Sequence, residues 1–359
     1  MGHEDRAVRI AHVAPLYESV PPKLYGGTER IVSYLTEALT EFGHDVTLFA
    51  SGESRTSARL VPGRDKALRL DPHPLKSEIA AHIGMLDEVR RRAGEFDVIH
   101  FHLSHFLHFP LFEHIAGKTV TTPHGRLDYA DLAPAYARFP SFPMISISRS
   151  QRARLPQANW LATILHGLPP TLYEPDYEAG DDTYLAFLGR FSRDKRPDRA
   201  IEIARRAGLK IKLAAKIGDD DRAYFRERVE PLIDGHRVEY VGEITEDKKA
   251  SFLGNAAGLL FPIDWPEPFG LAVIEAMACG TPVIAWNCGA MPEIIDPGVT
   301  GYIAESIEDA VASIPDLLSL DRRAVRQTFE RRFSAQRMAR DYVAAYARLL
   351  GGDMQARAS

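Results

Sequence analysis

Short apolar runs alternate along the chain with stretches whose apolar residues recur every three or four positions. The runs VRIAHVA (8–14), DVTLFA (45–50), DVIHFH (97–102), KTVTT (118–122), FPMISIS (142–148) and LATILH (161–166) predict one set of strands. The runs YLAFLG (184–189), KIKLAA (210–215), VEYVG (238–242), GLLFP (258–262), TPVIAW (281–286) and TGYIA (300–304) predict a second. Segment 27–42 places Ile31, Leu35, Ala38 and Leu39 at helical spacing, and a long helix is expected from Ala335 to Leu350. Strands that are apolar throughout and alternate with helices belong in parallel sheets covered on both faces.

The two strand sets are separated by LPPTLYEPDYEAGDD (168–182), which holds three prolines, several acids and no periodicity. It reads as an interdomain linker. The expected fold class is α/β: two Rossmann-like domains, 1–167 and 183–334, facing each other across a cleft where ligands of such folds bind. The length of 359 residues agrees, since one hydrophobic core rarely serves so long a chain. A net charge of −5 argues against a general nucleic-acid binder, so no nucleic-acid partner is expected. The chain has two cysteines, Cys279 and Cys288, which do not form a Cys-x-x-Cys pair and read as free, buried thiols of a reducing compartment. The N-terminus lacks the apolar core of a secretion signal, and no run approaches the ~20 apolar residues of a spanning helix. The expectation is cytoplasmic, with a peripheral membrane contact left open.

Candidate chemistry concentrates in the second half. In WPEPFGLAVIEAMACG (265–280), Phe269 and Gly270 follow a buried strand and open a helix that runs to about Ala278. A helix N-terminus offers unpaired N–H groups and a positive dipole end to phosphate, and Gly270 lets a ligand approach the backbone. Glu267 precedes this helix. Glu275 lies one to two turns inside it, with a carboxylate suited to two vicinal hydroxyls. Upstream, FLGRFSRDKRPDRAIEIA puts Gly189, Arg190 and Lys195 in a strand-to-helix turn. Two cations there can hold a diphosphate without a metal ion and neutralise charge on a leaving group. Their neighbours Arg193, Arg196 and Arg199 read as surface charges.

Together these residues resemble glycosyltransferase family 4, the retaining transferases of the GT-B fold. Its two glutamates seven residues apart match Glu267 and Glu275, its E-P-F-G-L pattern matches Glu267–Leu271, and its G-R-x-x-x-x-K turn matches Gly189, Arg190 and Lys195. The resemblance continues through GTPVIAWNCGAMPEIIDPGVTGYI and so spans nearly all of 184–304. It implies that Arg190 and Lys195 bind the diphosphate of a nucleotide sugar, Glu275 the ribose and Glu267 the transferred sugar. The backbone amides of Phe269, Gly270 and Leu271 would contact sugar and phosphate. Val241, Gly242 and Glu243 would approach the base, with UDP expected before GDP and UDP-glucose as the default donor. The co-substrate is the nucleotide sugar itself, with no cofactor and no metal. The tail 335–359 would cross back to the first domain.

The first half agrees more loosely. PPKLYGGTER sets Gly26 and Gly27 at a helix start, where the family has a glycine pair under the donor phosphates. TPHGRLD sets His124 after a strand, where the family has an active-site histidine near the sugar's 6-hydroxyl. Lys23, Tyr25 and the 51–80 loop are candidates for the unknown hydroxyl acceptor, whether saccharide, lipid or small-molecule aglycone. Five histidines in HFHLSHFLHFPLFEH (100–114) invite a zinc reading, yet no cysteine or carboxylate pair lies near and packing is the better account. The D-x-D triplet Asp219–Asp221 reads as helix capping and not as a metal site. No G-x-G-x-x-G follows a strand and no G-x-x-x-x-G-K-[ST] occurs, against a dehydrogenase or a P-loop kinase. A nucleotide-sugar epimerase, a phosphorylase and a non-catalytic nucleotide-sugar binder remain as alternatives. Donor interconversion without an acceptor would mark the epimerase.

Overall fold

In a computed structural model, the structure describes residues 7–23, 26–104, 106–175, 177 and 183–356. Tyr25, His105 and most of the 176–182 stretch of the expected linker lie outside the described residues. The chain forms two compact units, 1–167 with 335–359 and 168–334.

The first unit has seven parallel strands: β1 (Arg9–Val13), β2 (Asp45–Ser51), β3 (Arg59–Arg64), β4 (Val98–Phe101), β5 (Thr119–Thr121), β6 (Met144–Ser146) and β7 (Trp160–Thr163). Their order is β3-β2-β1-β4-β5-β6-β7. The 51–80 segment is therefore not all loop, because Arg59–Arg64 adds an edge strand beside β2. Its sequence, RLVPGR, has no apolar run, and its proline is tolerated because an edge strand leaves one side unpaired. The helix Gly27–Glu41 buries Ile31, Leu35, Ala38 and Leu39 as its periodicity requires. The tail helix runs Ala335–Ala356 and buries Met338, Tyr342, Tyr346 and Leu349 in this unit.

The second unit has six: β8 (Tyr184–Arg190), β9 (Lys210–Lys216), β10 (Val238–Gly242), β11 (Gly258–Phe261), β12 (Val283–Trp286) and β13 (Gly301–Ala304), in the order β10-β9-β8-β11-β12-β13. All pairs are parallel. Strands β4 and β11 are buried along their whole length, as expected of central strands covered on both faces. In each sheet the order reverses once, between β1 and β4 and between β8 and β11. Chains that leave adjacent strands there diverge to opposite sides, which opens a crevice at the strands' C-terminal ends. Among the described residues no helix is long and apolar enough to cross a membrane.

Candidate functional site

In the second unit, Arg190 ends β8 and Glu267 follows β11, so the two loops of the switch point carry the expected cation and carboxylate. Lys195 precedes the helix Pro197–Arg206, whose first position takes the proline without losing a hydrogen bond. The Lys195 ammonium donates to Glu267 Oε2 and lies 5.2 Å from the Phe261 ring centre and 5.0 Å from that of Trp265. Arg190 pairs through Nε with Asp221 Oδ2 at 3.0 Å. Arg190 and Lys195 thus each have a carboxylate partner.

The helix Leu271–Ala278 has Gly270 as its N-cap, at φ +98° and without a side-chain cap. Only glycine takes that backbone angle without strain, and the uncapped end leaves N–H groups for an anion. The other end is closed by buried Arg326, which donates to Ala278 O at 2.5 Å and to Tyr173 O at 2.9 Å. A cation at the C-terminus complements the helix dipole. Phe269 is buried beside Phe333. Glu275 is buried inside the helix and accepts from Lys249 Nζ at 2.7 Å, while Lys249 also reaches Glu246 at 3.3 Å. Burial and the Glu275 charge push the Cys279 thiol up to about 12, which makes it inert. Cys288 is only half-buried and donates to Trp265 O at 2.9 Å, so the expectation of two buried thiols holds for Cys279 alone.

Val241, Gly242 and Glu243 leave the C-terminal end of edge strand β10. Gly242 has φ +85° at an irregularity in the β9 pairing, and Val241 is exposed. Gly189 lies within β8, paired with Ala215.

Lys249, Gly289 and Asp221 were missing from the sequence reading of the site. Gly289 has φ +60° and backs onto Glu267, where an added Cβ would overlap its backbone N and O. Ala290 N–H donates to Glu267 O at 3.0 Å. The Asn-Cys-Gly turn was a legible signal for a tight turn, though not for its target. Asp221 does not cap a helix as expected: its N–H donates to Gly218 O, and its carboxylate turns to Arg190 instead. Arg196 and Arg199 are not mere surface charges. Arg196 bonds Asp198 and Asp264, and Arg199 donates to Pro262 O and stacks 4.5 Å from the Trp286 ring centre. Arg193 is exposed as expected.

In the first unit, Gly26 is the extended N-cap of the helix Gly27–Glu41, with no side-chain cap; a Cβ on it would lie 2.7 Å from Pro22 Cβ. Lys23 is exposed before it. His124 follows β5 and joins a row of imidazoles. Its Nε2 lies 3.0 Å from His102 Nδ1, and its ring stacks on His166 at 5.2 Å. His100 contacts Tyr346 OH at 2.7 Å and Thr122 Oγ1 at 2.8 Å, and His12 contacts Thr36 Oγ1 at 2.8 Å and Tyr346 OH at 3.4 Å. His12, His100 and His102 bring ring nitrogens within 4.8 Å of one another. Four of those six nitrogens already face hydroxyls and a fifth faces His124, which leaves His102 Nε2 as the one of the six without a hydrogen-bond partner. His108 turns elsewhere, to Thr121 and the Phe101 ring, and His114 is exposed. Burial holds the His12 and His124 imidazoles at about 3 and keeps His100, His102 and His166 well below the usual histidine range.

Comparison with known proteins agrees in both units. The family profile described as "Glycosyl transferases group 1" matches residues 174–332, and that described as "Glycosyltransferase Family 4" matches 25–165. The chain belongs to the family 4-type glycosyltransferases. It is 26% identical over 340 residues to a phosphatidyl-myo-inositol mannosyltransferase of Propionibacterium freudenreichii subsp. shermanii, over 87% of this chain and 86% of that one. Among solved structures it superposes on sucrose-phosphate synthase from Thermosynechococcus elongatus with a TM-score of 0.76, at 20% identity over 97% of this chain and 100% of that one. It superposes on Anabaena HepE, solved with UDP-glucose, with a TM-score of 0.70, at 16% identity over 96% and 100%. The fold is thus GT-B, and the protein is an enzyme, as the hexosyltransferase reading of the sequence expects. The epimerase alternative finds no support in these matches.

Proposed function

We propose that this family 4-type enzyme moves a hexosyl group from a nucleoside-diphosphate sugar to a hydroxyl acceptor with retention of anomeric configuration and without a metal ion. The observation that carries this is the grouping, at one switch point, of Arg190, Lys195 and the uncapped helix end at Gly270. In this reading the diphosphate takes up Arg190, Lys195 and the amides of Phe269–Leu271, and Glu275 accepts from ribose hydroxyls. Glu267 exchanges Lys195 for the sugar hydroxyls. Val241–Glu243 border the base, and Gly26, Gly27, Gly189 and His124 keep the roles that the resemblance implies.

The C1–phosphate oxygen bond breaks as the acceptor oxygen bonds to C1 on the same face, and the departing phosphate accepts the acceptor's proton. Arg190 and Lys195 stabilise the growing phosphate charge. UDP-glucose is the favoured donor, because HepE is a fold relative that binds it. The mannosyltransferase relative supports a lipid among the acceptor candidates, and with it a peripheral membrane contact from the cytoplasm.

The test is a thermal-shift panel of UDP-, GDP- and TDP-sugars in EDTA, followed by proton NMR of the first glycoside formed. A shift with one base and an α-anomeric product from an α-linked donor are expected. No shift with any base, or a β-anomeric product, would overturn the proposal.

A further inference from the structure

β8 and β9 stay in register to their last residues, Arg190 opposite Lys216. The loop leaving β9 is thereby delivered beside the Arg190 side chain. A turn closes there, with Asp221 N–H donating to Gly218 O at 3.0 Å. Glycine at 218 leaves room for the Asp221 carboxylate, since a Cβ on it would lie 2.9 Å from Asp221 Oδ2. That oxygen sits 3.0 Å from Arg190 Nε. The neighbouring Asp219 pairs with Arg222 instead.

The two partners differ in exposure: the Arg190 side chain is 49% exposed and that of Asp221 15%. Nε is the nitrogen on the stem side, and the two terminal nitrogens form the fork that matches phosphate oxygens. We propose that Asp221 is a positioning residue, whose ion pair with Arg190, closest at Nε, orders the fork for a nucleoside diphosphate before the ligand arrives. This rests on the donor-site reading above. A long exposed arginine loses rotamer freedom when it binds, and ordering it beforehand removes that cost from the binding step. A competing role would require the carboxylate to occupy the fork itself.

The experiment titrates the full chain in EDTA with whichever of UDP, GDP and TDP binds it best, and with the parent nucleoside. Wild type is compared with Arg190→Ala, Asp221→Ala, Asp221→Asn and the double variant Arg190→Ala/Asp221→Ala. Asp221→Ala is expected to weaken the diphosphate by about tenfold and the nucleoside not at all. Asp221→Asn, which keeps the side chain's size and a polar oxygen beside Nε but removes its charge, is expected to fall between, and the double variant to bind no more weakly than Arg190→Ala. Unchanged or tighter diphosphate binding in both Asp221 variants, or an equal loss for the nucleoside, would overturn the proposal. If Arg190→Ala itself binds like wild type, the donor-site reading falls and this role with it. A weakened Arg190→Ala beside wild-type-like Asp221 variants refutes the role of Asp221 alone. Should Asp221→Ala not fold, the Asp221→Asn comparison carries the same decision.

Discussion

Gly289 is where one methyl group would do most damage. Its φ of +60° disfavours any side chain, and a Cβ would overlap the backbone of Glu267. Gly289→Ala is therefore expected to displace the Glu267 loop and lower kcat/KM by on the order of 10²-fold, with much less effect on nucleoside-diphosphate affinity. Steady-state kinetics beside a binding titration checks this, and equal losses in both would place the damage elsewhere. Lys249 is the second such residue. Lys249→Met leaves the Glu275 carboxylate buried without its cation and is expected to cost ~3–5 kcal/mol, read from urea unfolding. The double variant Lys249→Met/Glu275→Gln should recover part of that loss. Glu267, Gly270 and Glu275 were legible in the sequence because they sit in one contiguous motif. Lys249 and Asp221 were not, because the pairs Lys249–Glu275 and Arg190–Asp221 are made by tertiary packing and strand register, which leave no local pattern.

The helix Leu271–Ala278 depends on what holds its far end. Arg326 bonds Ala278 O, Tyr173 O and Pro170 O from a buried position. Arg326→Met would strand those carbonyls and is expected to destabilise the chain by ~2–4 kcal/mol, seen as a lower urea midpoint. Every strand expected from an apolar run is present, with ends shifted by a few residues. β3 escaped because an edge strand need not be apolar, and its Pro-Gly pair reads as a turn. The histidine row obeys the same logic: DVIHFH announced a strand, while its partners His12, His124, His166 and the tail tyrosines came from distant segments. Those imidazoles are neutral when folded, whereas an unfolded histidine titrates near 6.5. Above that pH neither state binds the proton. Below it the unfolded chain takes up protons that the folded chain refuses, so stability falls as pH drops from about 6.5 toward 3. Urea midpoints should decline from pH 7.5 to 5.5. A flat profile would mean that these rings are solvated.

The whole chain repeats one plan, a parallel sheet with a single reversal, and its tail helix belongs to the same unit as its first strand. Both sheets and the tail helix were legible, since length, periodicity and buried strands act over many residues at once. The acceptor was not, because the 51–80 segment that would recognise it carries no recurring chemistry. At the level of the molecule, the central proposal is a nucleotide sugar held by protein cations in the second unit. Isothermal titration of the full chain with UDP-, GDP- and TDP-sugars in excess EDTA tests that most directly. Chelator-insensitive binding of one donor is expected, weakened on the order of 10²-fold by Arg190→Ala and by Lys195→Ala. Binding that needs an added divalent ion, or that both variants leave unchanged, would contradict it.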